Sequence, residues 1–215
     1  MLPVLLPLLL AAGQAAAAVL PAASNATIKC PVVFDGRVSS TLALTDFDAT
    51  STSPFNPDYV KGEGLKWSQI LLFPSGIPTS RFDGAGGEYK PVEVTLSDKS
   101  IFMTQRGFRR AGLQLKGDSN NGSKGSTGVK TIHFSIMIDK TRPFNLSHEY
   151  LNVWHESADY SANQFNFQMG QMIDQRSLPK DTFKVLNRQN RQIWSTPIDA
   201  AGWNNFAITI DFTKK

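Results

Sequence analysis

The segment 145–160 is the densest group of side chains in this sequence that could transfer a proton. It holds two His, two Glu, one Asp, two Tyr and one Trp within sixteen residues. A carboxyl group beside an imidazole and aromatic rings can act as a general acid or base, because partial burial adjusts its pKa. We therefore take Glu149 as the first catalytic candidate and His133, on the polar face of a preceding segment, as its partner.

The spacing within this segment predicts which side chains share a face of a β-strand. Side chains alternate between the two faces, so Glu149 and His155 are expected on one face and Tyr150 and Trp154 on the other. A β-bulge would invert this assignment. If the strand that carries His133 pairs with this one, His133 approaches Glu149. The alternative is a surface strand with an incidental ion pair.

Metal binding is not supported by the spacing of the possible ligands. The three His residues do not match a compact zinc-ligand spacing. Asp46, Asp48 and Asp58 flank a Ser/Thr/Pro-rich stretch, which we interpret as a loop rather than as a calcium site. The sequence predicts no metal and no other cofactor.

The elements that must position these residues are β-strands. Apolar and polar residues alternate with period two over residues 90–96, 131–139, 164–169 and 204–213, and turn-rich stretches separate them. Many short strands predict an all-β fold, a sandwich of two antiparallel sheets, and the polar second faces suggest a jelly roll with a concave groove. The residues expected to point inward are Phe134, Ile136, Phe165, Phe167, Phe206, Ile208 and Ile210.

Amides and aromatic rings along the polar faces suit a sugar-binding groove. Aromatic rings stack on the apolar faces of sugars, and amides bond to hydroxyl groups. An ordinary solvent-facing sheet is the alternative. We expect His133, Glu149 and Gln164 to line one concave face.

The N-terminal segment predicts secretion. Residues 1–28 contain no Lys, Arg, Asp or Glu, and residues 1–18 resemble a signal peptide whose cleavage site could extend to residue 23. A membrane anchor is the weaker alternative, because prolines interrupt the apolar stretch. The remaining residues, 19–215, are predicted to form one extracellular domain without membrane attachment. Its glycosylation acceptors would be Asn25, Asn121 and Asn145.

Composition limits the partners of this domain. Hydrophobic residues make up 41% of the 215 residues, which excludes a disordered chain. The net charge is only +4, so no nucleic-acid partner is predicted. Cys30 is the only cysteine, so no disulfide can form within the chain, and we expect Cys30 to be buried and unpaired in a monomer. The alternative is a disulfide between Cys30 and another chain.

Eight short motifs, in order along the chain, resemble those of glycoside hydrolase family 131, the secreted fungal β-glucanases. They are Phe34–Arg37, Lys90–Glu93, Phe108–Arg110, Lys130–Ser135, Asn145–Tyr150, His155–Ser161, Asn163–Phe165 and Trp203–Phe206. The resemblance implies a β-jelly-roll with an open groove and activity on β-1,3-, β-1,6- and β-1,4-linked glucans. The family is structurally similar to glucuronan lyases, which supplies an alternative chemistry.

The resemblance also assigns roles to individual residues. It implies that Glu149, in the Ser-His-Glu-Tyr motif, is a catalytic carboxylate, and we add His133 as a second catalytic candidate. The candidate substrate-binding residues are Arg110, Tyr150, Trp154, His155, Asn163 and Gln164.

Two departures from the family pattern bear on activity. Gly112 stands where the family has a second Glu, after the paired arginines, and a glycosidase generally needs two carboxyl groups. The resemblance also implies further strands after residues 211–214, so the jelly roll is expected to be C-terminally truncated.

We therefore expect a secreted β-glucanase-like domain with impaired or absent catalysis and a β-glucan partner. The alternatives are a non-catalytic β-glucan-binding protein and a lyase-type enzyme that acts on an acidic polysaccharide.

Overall fold

Antiparallel β-strands form the framework of this protein. The structure, a computed structural model, describes residues 30–119 and 122–214. Its strands are β1 Leu71–Leu72, β2 Glu93–Val94, β3 Val129–Ile136, β4 Glu149–Glu156, β5 Asn163–Gly170, β6 Thr182–Asn187, β7 Gln192–Pro197 and β8 Asn204–Asp211. The helical elements are the short 3-10 turns Leu44–Asp48, Trp67–Gln69 and Lys124–Ser126.

Two sheets form the C-terminal half of the described chain. One contains four strands in the order β4-β5-β6-β7, and the other pairs β3 with β8. All of these pairs are antiparallel. β1 and β2 form a separate antiparallel pair.

An aromatic cluster fills the space between the β3-β8 sheet and the four-stranded sheet. Phe167 is fully buried, and its ring centroid lies 5.0 Å from Phe134, 5.2 Å from Phe183 and 4.6 Å from Phe206. All seven residues predicted to point inward belong to this cluster. The predicted all-β fold with two facing antiparallel sheets is therefore confirmed.

The segment 30–119 carries a second core of its own. Phe47, Trp67 and Leu71 are almost completely buried there, with Val38, Phe55 and Ile70 around them. Much of this part is irregular, and isolated bridges join Phe55 to Leu115 and Lys61 to Ala111. The bridges bring the stretch 54–61 alongside 111–116, which positions Tyr59 next to Gly112.

Some local expectations differ from the structure. The alternating segment 90–96 contributes only the two residues of β2, and beyond them Thr95 donates one further backbone hydrogen bond to Ile70. The expected burial of Cys30 is wrong, since this residue is exposed at the edge of the described chain. The predicted signal peptide, Asn25 and Asn121 lie outside the described residues. Within residues 30–119 and 122–214, no helix is long and apolar enough to cross a membrane.

Candidate active site

A β-bulge in β4 decides which candidate side chains share a face. Leu151 lies opposite Gln168 and Val153 lies opposite Phe167, so Asn152 is an extra residue without a partner across the strand pair. Because a bulge shifts the alternation by one residue, Tyr150 and His155 face the aromatic core, whereas Glu149 and Trp154 share the other face. The prediction that Glu149 shares a face with His155 is therefore wrong.

Glu149 lies at the first position of β4, directly opposite Gly170. Its Oε2 accepts a hydrogen bond from the backbone N–H of Ile173 at 2.7 Å. That N–H belongs to the long connection between β5 and β6. Glu149 is half-buried, and its carboxylate ties this connection to the start of β4.

Gly112 lies against two aromatic rings. A Cβ atom built on Gly112 would lie 3.3 Å from Trp154 Cη2 and 3.2 Å from Tyr59 Cε1. The φ angle of Gly112 is outside the left-handed region, so a side chain there would meet these rings but no backbone strain. The rings of Tyr59 and Trp154 thus occupy the space beside the position where the family pattern has Glu.

Tyr59 keeps its proton in this environment. Burial is the main cause that raises its pKa, and the negative charges of Glu156 and Tyr160 raise it further, while Arg110 and its positive charge act in the opposite direction. Tyr59 therefore lies within electrostatic reach of both Glu156 and Arg110. Sequence analysis missed Tyr59 because it follows a Pro-containing turn, in a stretch without strand alternation.

Arg110 supplies an uncompensated positive charge beside Gly112. Its guanidinium lies over the ring of Phe108 with 4.8 Å between the carbon Cζ and the ring centroid. Its Nε is buried and has no hydrogen-bond partner among the described residues. Arg110 also forms none of the ion pairs found in that part of the chain.

Amide side chains line the end of β4 and the start of β5. The side-chain amide of Asn163 donates to Asn166 Oδ1 at 2.6 Å. Asn163 lies opposite Glu156, and Asn166 lies opposite Trp154, so these four residues share one face. Gln164 is skipped in the strand pairing, and its Oε1 lies 3.1 Å from His155 Nδ1.

His133 lies on β3, and the structure pairs β3 with β8 rather than with β4. The strand pairing that would bring His133 to Glu149 is therefore absent from the described sheets. His133 is exposed on the outer face of β3, opposite Ala207, and the ring of Phe82 meets it edge-on at 5.2 Å.

Tyr150 and His155 are held between the two sheets. The Tyr150 hydroxyl donates to the backbone oxygen of Asn145 at 3.1 Å, and its ring meets that of Phe144 at 4.6 Å. The ring of His155 lies 5.0 Å from the ring of Phe212, just beyond β8. Both side chains are thus engaged in packing.

One long cleft connects these residues. Its lining includes all eight catalytic and substrate-binding candidates, namely Arg110, His133, Glu149, Tyr150, Trp154, His155, Asn163 and Gln164. The cleft also borders core strands, so lining it does not by itself bring two side chains together. Gly112 lies against the rings of Tyr59 and Trp154, and the charges of Arg110 and Glu156 act on Tyr59. We call these five residues the Trp154 cluster.

Comparison with known proteins places the chain in a family. The family model described as the glycoside hydrolase 131 catalytic N-terminal domain matches residues 32–215. The chain belongs to glycoside hydrolase family 131. It is thus a domain of a glycoside hydrolase family, and the resemblance identified from its motifs is confirmed. No curated protein matches this sequence.

A solved structure supports the fold assignment. The catalytic domain of the glycoside hydrolase family 131 protein from Coprinopsis cinerea is similar to this chain with a TM-score of 0.62. The two sequences are 21% identical, and the match covers 85% of this chain and 70% of that chain. At this identity the similarity establishes the β-sandwich fold and leaves the roles of individual residues to the local geometry.

Proposed function

We propose that this family 131 domain hydrolyses the glycosidic bonds of β-glucans, with β-1,3/1,6- and β-1,4-linked chains as substrates, and does so slowly. The single observation that carries the proposal is the Trp154 cluster in the cleft of a family 131 fold. An indole ring offers an apolar face to a sugar ring, and the adjoining amides, guanidinium and carboxylate supply hydrogen bonds to hydroxyl groups. The low rate follows from Gly112, which offers no carboxyl group.

The family resemblance attributes catalysis to Glu149, with His133 as a further candidate. Arg110, Trp154, Asn163 and Gln164 would hold the sugar chain along the cleft. The substrate is a neutral polysaccharide, and the domain acts as a secreted monomer. Asn145 supports the secretory route, because its sequon forms an exposed turn in which Oδ1 accepts from the backbone N–H of Ser147.

Hydrolysis is favoured over lyase chemistry by the state of Tyr59. A polysaccharide lyase needs a base that removes a proton from the sugar ring, and a tyrosine serves as that base only when its phenol is ionised. Burial and the charge of Glu156 raise the pKa of Tyr59, so this phenol stays protonated at neutral pH.

The products distinguish the three functions. Purified protein is incubated with laminarin, and reducing ends, ultraviolet absorbance and retained polysaccharide are measured in parallel. We expect a slow release of reducing ends without new absorbance. New absorbance from a double bond would establish the lyase, and retention of laminarin without any product would establish the binding protein.

A further inference from the structure

We propose that the exposed ring of Phe108 is a second sugar-binding platform of the cleft, on which a glucose unit stacks while the guanidinium of Arg110 binds its hydroxyl groups. This inference deepens the proposed function and rests on it, because it takes the same neutral β-glucan as its ligand. It gives the polysaccharide chain a binding position beyond the one that the ring of Trp154 provides.

The exposure of Phe108 sets it apart from the other phenylalanines. Its side chain is 56% exposed, whereas every other phenylalanine in residues 30–119 and 122–214 is buried or half-buried. A single exposed apolar side chain is common on protein surfaces and is not by itself a site. Phe108, however, belongs to the lining of the cleft. Its ring therefore offers an apolar face along the path of a bound polysaccharide.

The backbone of Phe108 is held at both of its polar groups, so the ring is presented from a fixed base. Its N–H donates to the backbone oxygen of Gln105 at 3.0 Å. Its carbonyl oxygen accepts from Nη1 of Arg109 at 3.2 Å, and the same nitrogen donates to the Arg106 oxygen at 3.0 Å. Nη2 of Arg109 binds Asp98 at 2.8 Å. Because these bonds exist before a ligand arrives, binding does not have to order this segment.

Arg110 places hydrogen-bond donors beside the ring. Its Cζ lies 4.8 Å from the centroid of Phe108, and its own backbone N–H is fixed by the Ser100 oxygen at 2.7 Å. Its Nε lacks a partner among the described residues, and it takes part in none of the ion pairs found there. A guanidinium carries five N–H donors, which suit the hydroxyl oxygens of a sugar. The ring and the cation together match a sugar that has one apolar face and a hydroxyl-bearing edge.

The Phe108 platform adjoins the Trp154 cluster through Arg110. Two residues after Arg110 comes Gly112, whose Cβ position lies 3.3 Å from Trp154 Cη2. The Cα atoms of Phe108 and Gly112 are four residues apart, so they are separated by roughly 14 Å or less. A polysaccharide that rests on the ring of Trp154 can therefore extend to the ring of Phe108.

The test measures laminarin binding by affinity electrophoresis, which does not depend on turnover. Phe108→Leu keeps an apolar side chain without a flat face and should raise the Kd for laminarin ~10-fold. Phe108→Tyr keeps the ring and should bind like the wild type. Met103→Ala is the matched control, since Met103 is 60% exposed in the same loop and lies outside the cleft lining. Thermal melting verifies that each variant is folded.

A second pair of variants separates stacking from a purely positioning role of the ring. If Phe108 only positions Arg110, Phe108→Leu has no further effect once Arg110 is replaced by Met. If the ring itself holds a sugar, Phe108→Leu still weakens laminarin binding several-fold in the Arg110→Met background. We expect the further loss, and its absence would overturn the proposal.

The outcomes separate this inference from the proposed hydrolysis. A wild type that binds laminarin through Phe108 and releases no reducing ends would overturn the hydrolysis and leave the inference standing. A wild type that releases reducing ends while Phe108→Leu binds laminarin equally well would overturn the inference and leave the hydrolysis standing. A wild type that laminarin does not retard would overturn the inference.

Discussion

Replacing Gly112 with Glu should restore a carboxylic acid to the Trp154 cluster. The new Cβ would lie 3.2 Å from Tyr59 Cε1 and 3.3 Å from Trp154 Cη2, which is tighter than ordinary van der Waals contact. Both rings must shift by a few tenths of an ångström, and overpacking of this kind costs about 1 to 2 kcal/mol of unfolding free energy. For a domain of this size, the melting temperature should fall by roughly 2 to 8 °C.

The activity of Gly112→Glu should rise despite that loss of stability. The rings of Tyr59 and Trp154 would partly bury the new carboxyl, and burial raises the pKa of a carboxyl group, which favours the protonated form that a general acid requires. A second carboxyl group supplies the proton donor that a glycosidase generally needs, so we expect laminarin hydrolysis to accelerate ~10-fold or more. That factor corresponds to about 1.4 kcal/mol of transition-state free energy.

The assay measures reducing ends released from laminarin by three variants at position 112. Gly112→Gln has nearly the same shape as Gly112→Glu and no acidic proton, and Gly112→Ala isolates the effect of the Cβ atom. Gly112→Glu should be faster than both, with a rate that falls at high pH as the new carboxyl ionises. Equal rates for folded Gly112→Glu and Gly112→Gln would refute the reasoning.

Three further predictions concern the framework around the site. Phe167→Ala removes the fully buried ring at the centre of the aromatic cluster and should cost about 3 to 5 kcal/mol in urea unfolding; a loss below about 1 kcal/mol would contradict the core assignment. Gly170→Ala should fail to fold or melt far below wild type, since φ is +80° and the new Cβ would lie 2.0 Å from the His148 oxygen. In the turn after β4, hydrogen bonds to Asp159 lower its pKa from 3.8 to about 2. The hydrogen bond from the Ser157 hydroxyl has the largest effect, and that from the Ser161 hydroxyl the next largest. The ionised Asp159 carboxylate therefore stabilises the fold above about pH 4, and this stabilisation is lost as the pH falls towards 2. Asp159→Asn should lower the melting temperature at pH 7 and not at pH 2.

The inward faces of the sheets could be predicted from sequence because alternation in a strand reports directly on burial. Phe134, Phe165, Phe167 and Phe206 follow that period, and each packs in the cluster between the sheets. The same rule failed over β4, since the extra residue Asn152 carries no side-chain feature that marks a bulge. One unpaired residue was enough to move Trp154 to the face of Glu149.

The composition of the Trp154 cluster depended on contacts between distant parts of the chain. Trp154, Arg110 and the departure at Gly112 were identified from motifs, each in its own segment. Tyr59 was not, because it belongs to an irregular stretch that reaches Gly112 through the isolated bridges of Phe55 with Leu115 and of Lys61 with Ala111. Local sequence patterns do not encode such a pairing, and the three-dimensional arrangement was needed to find it.

The most direct test of the central claim is the hydrolysis of laminarin by the wild-type chain in water enriched in oxygen-18, with mass spectrometry of the products. Hydrolysis bonds the water oxygen to the anomeric carbon, so each cleavage should leave one heavy oxygen at the new reducing end and none on the fragment that keeps the leaving oxygen. Glu149→Gln should abolish the labelled products. Labelled products that persist undiminished in Glu149→Gln, or new reducing ends without label in the wild type, would contradict the account.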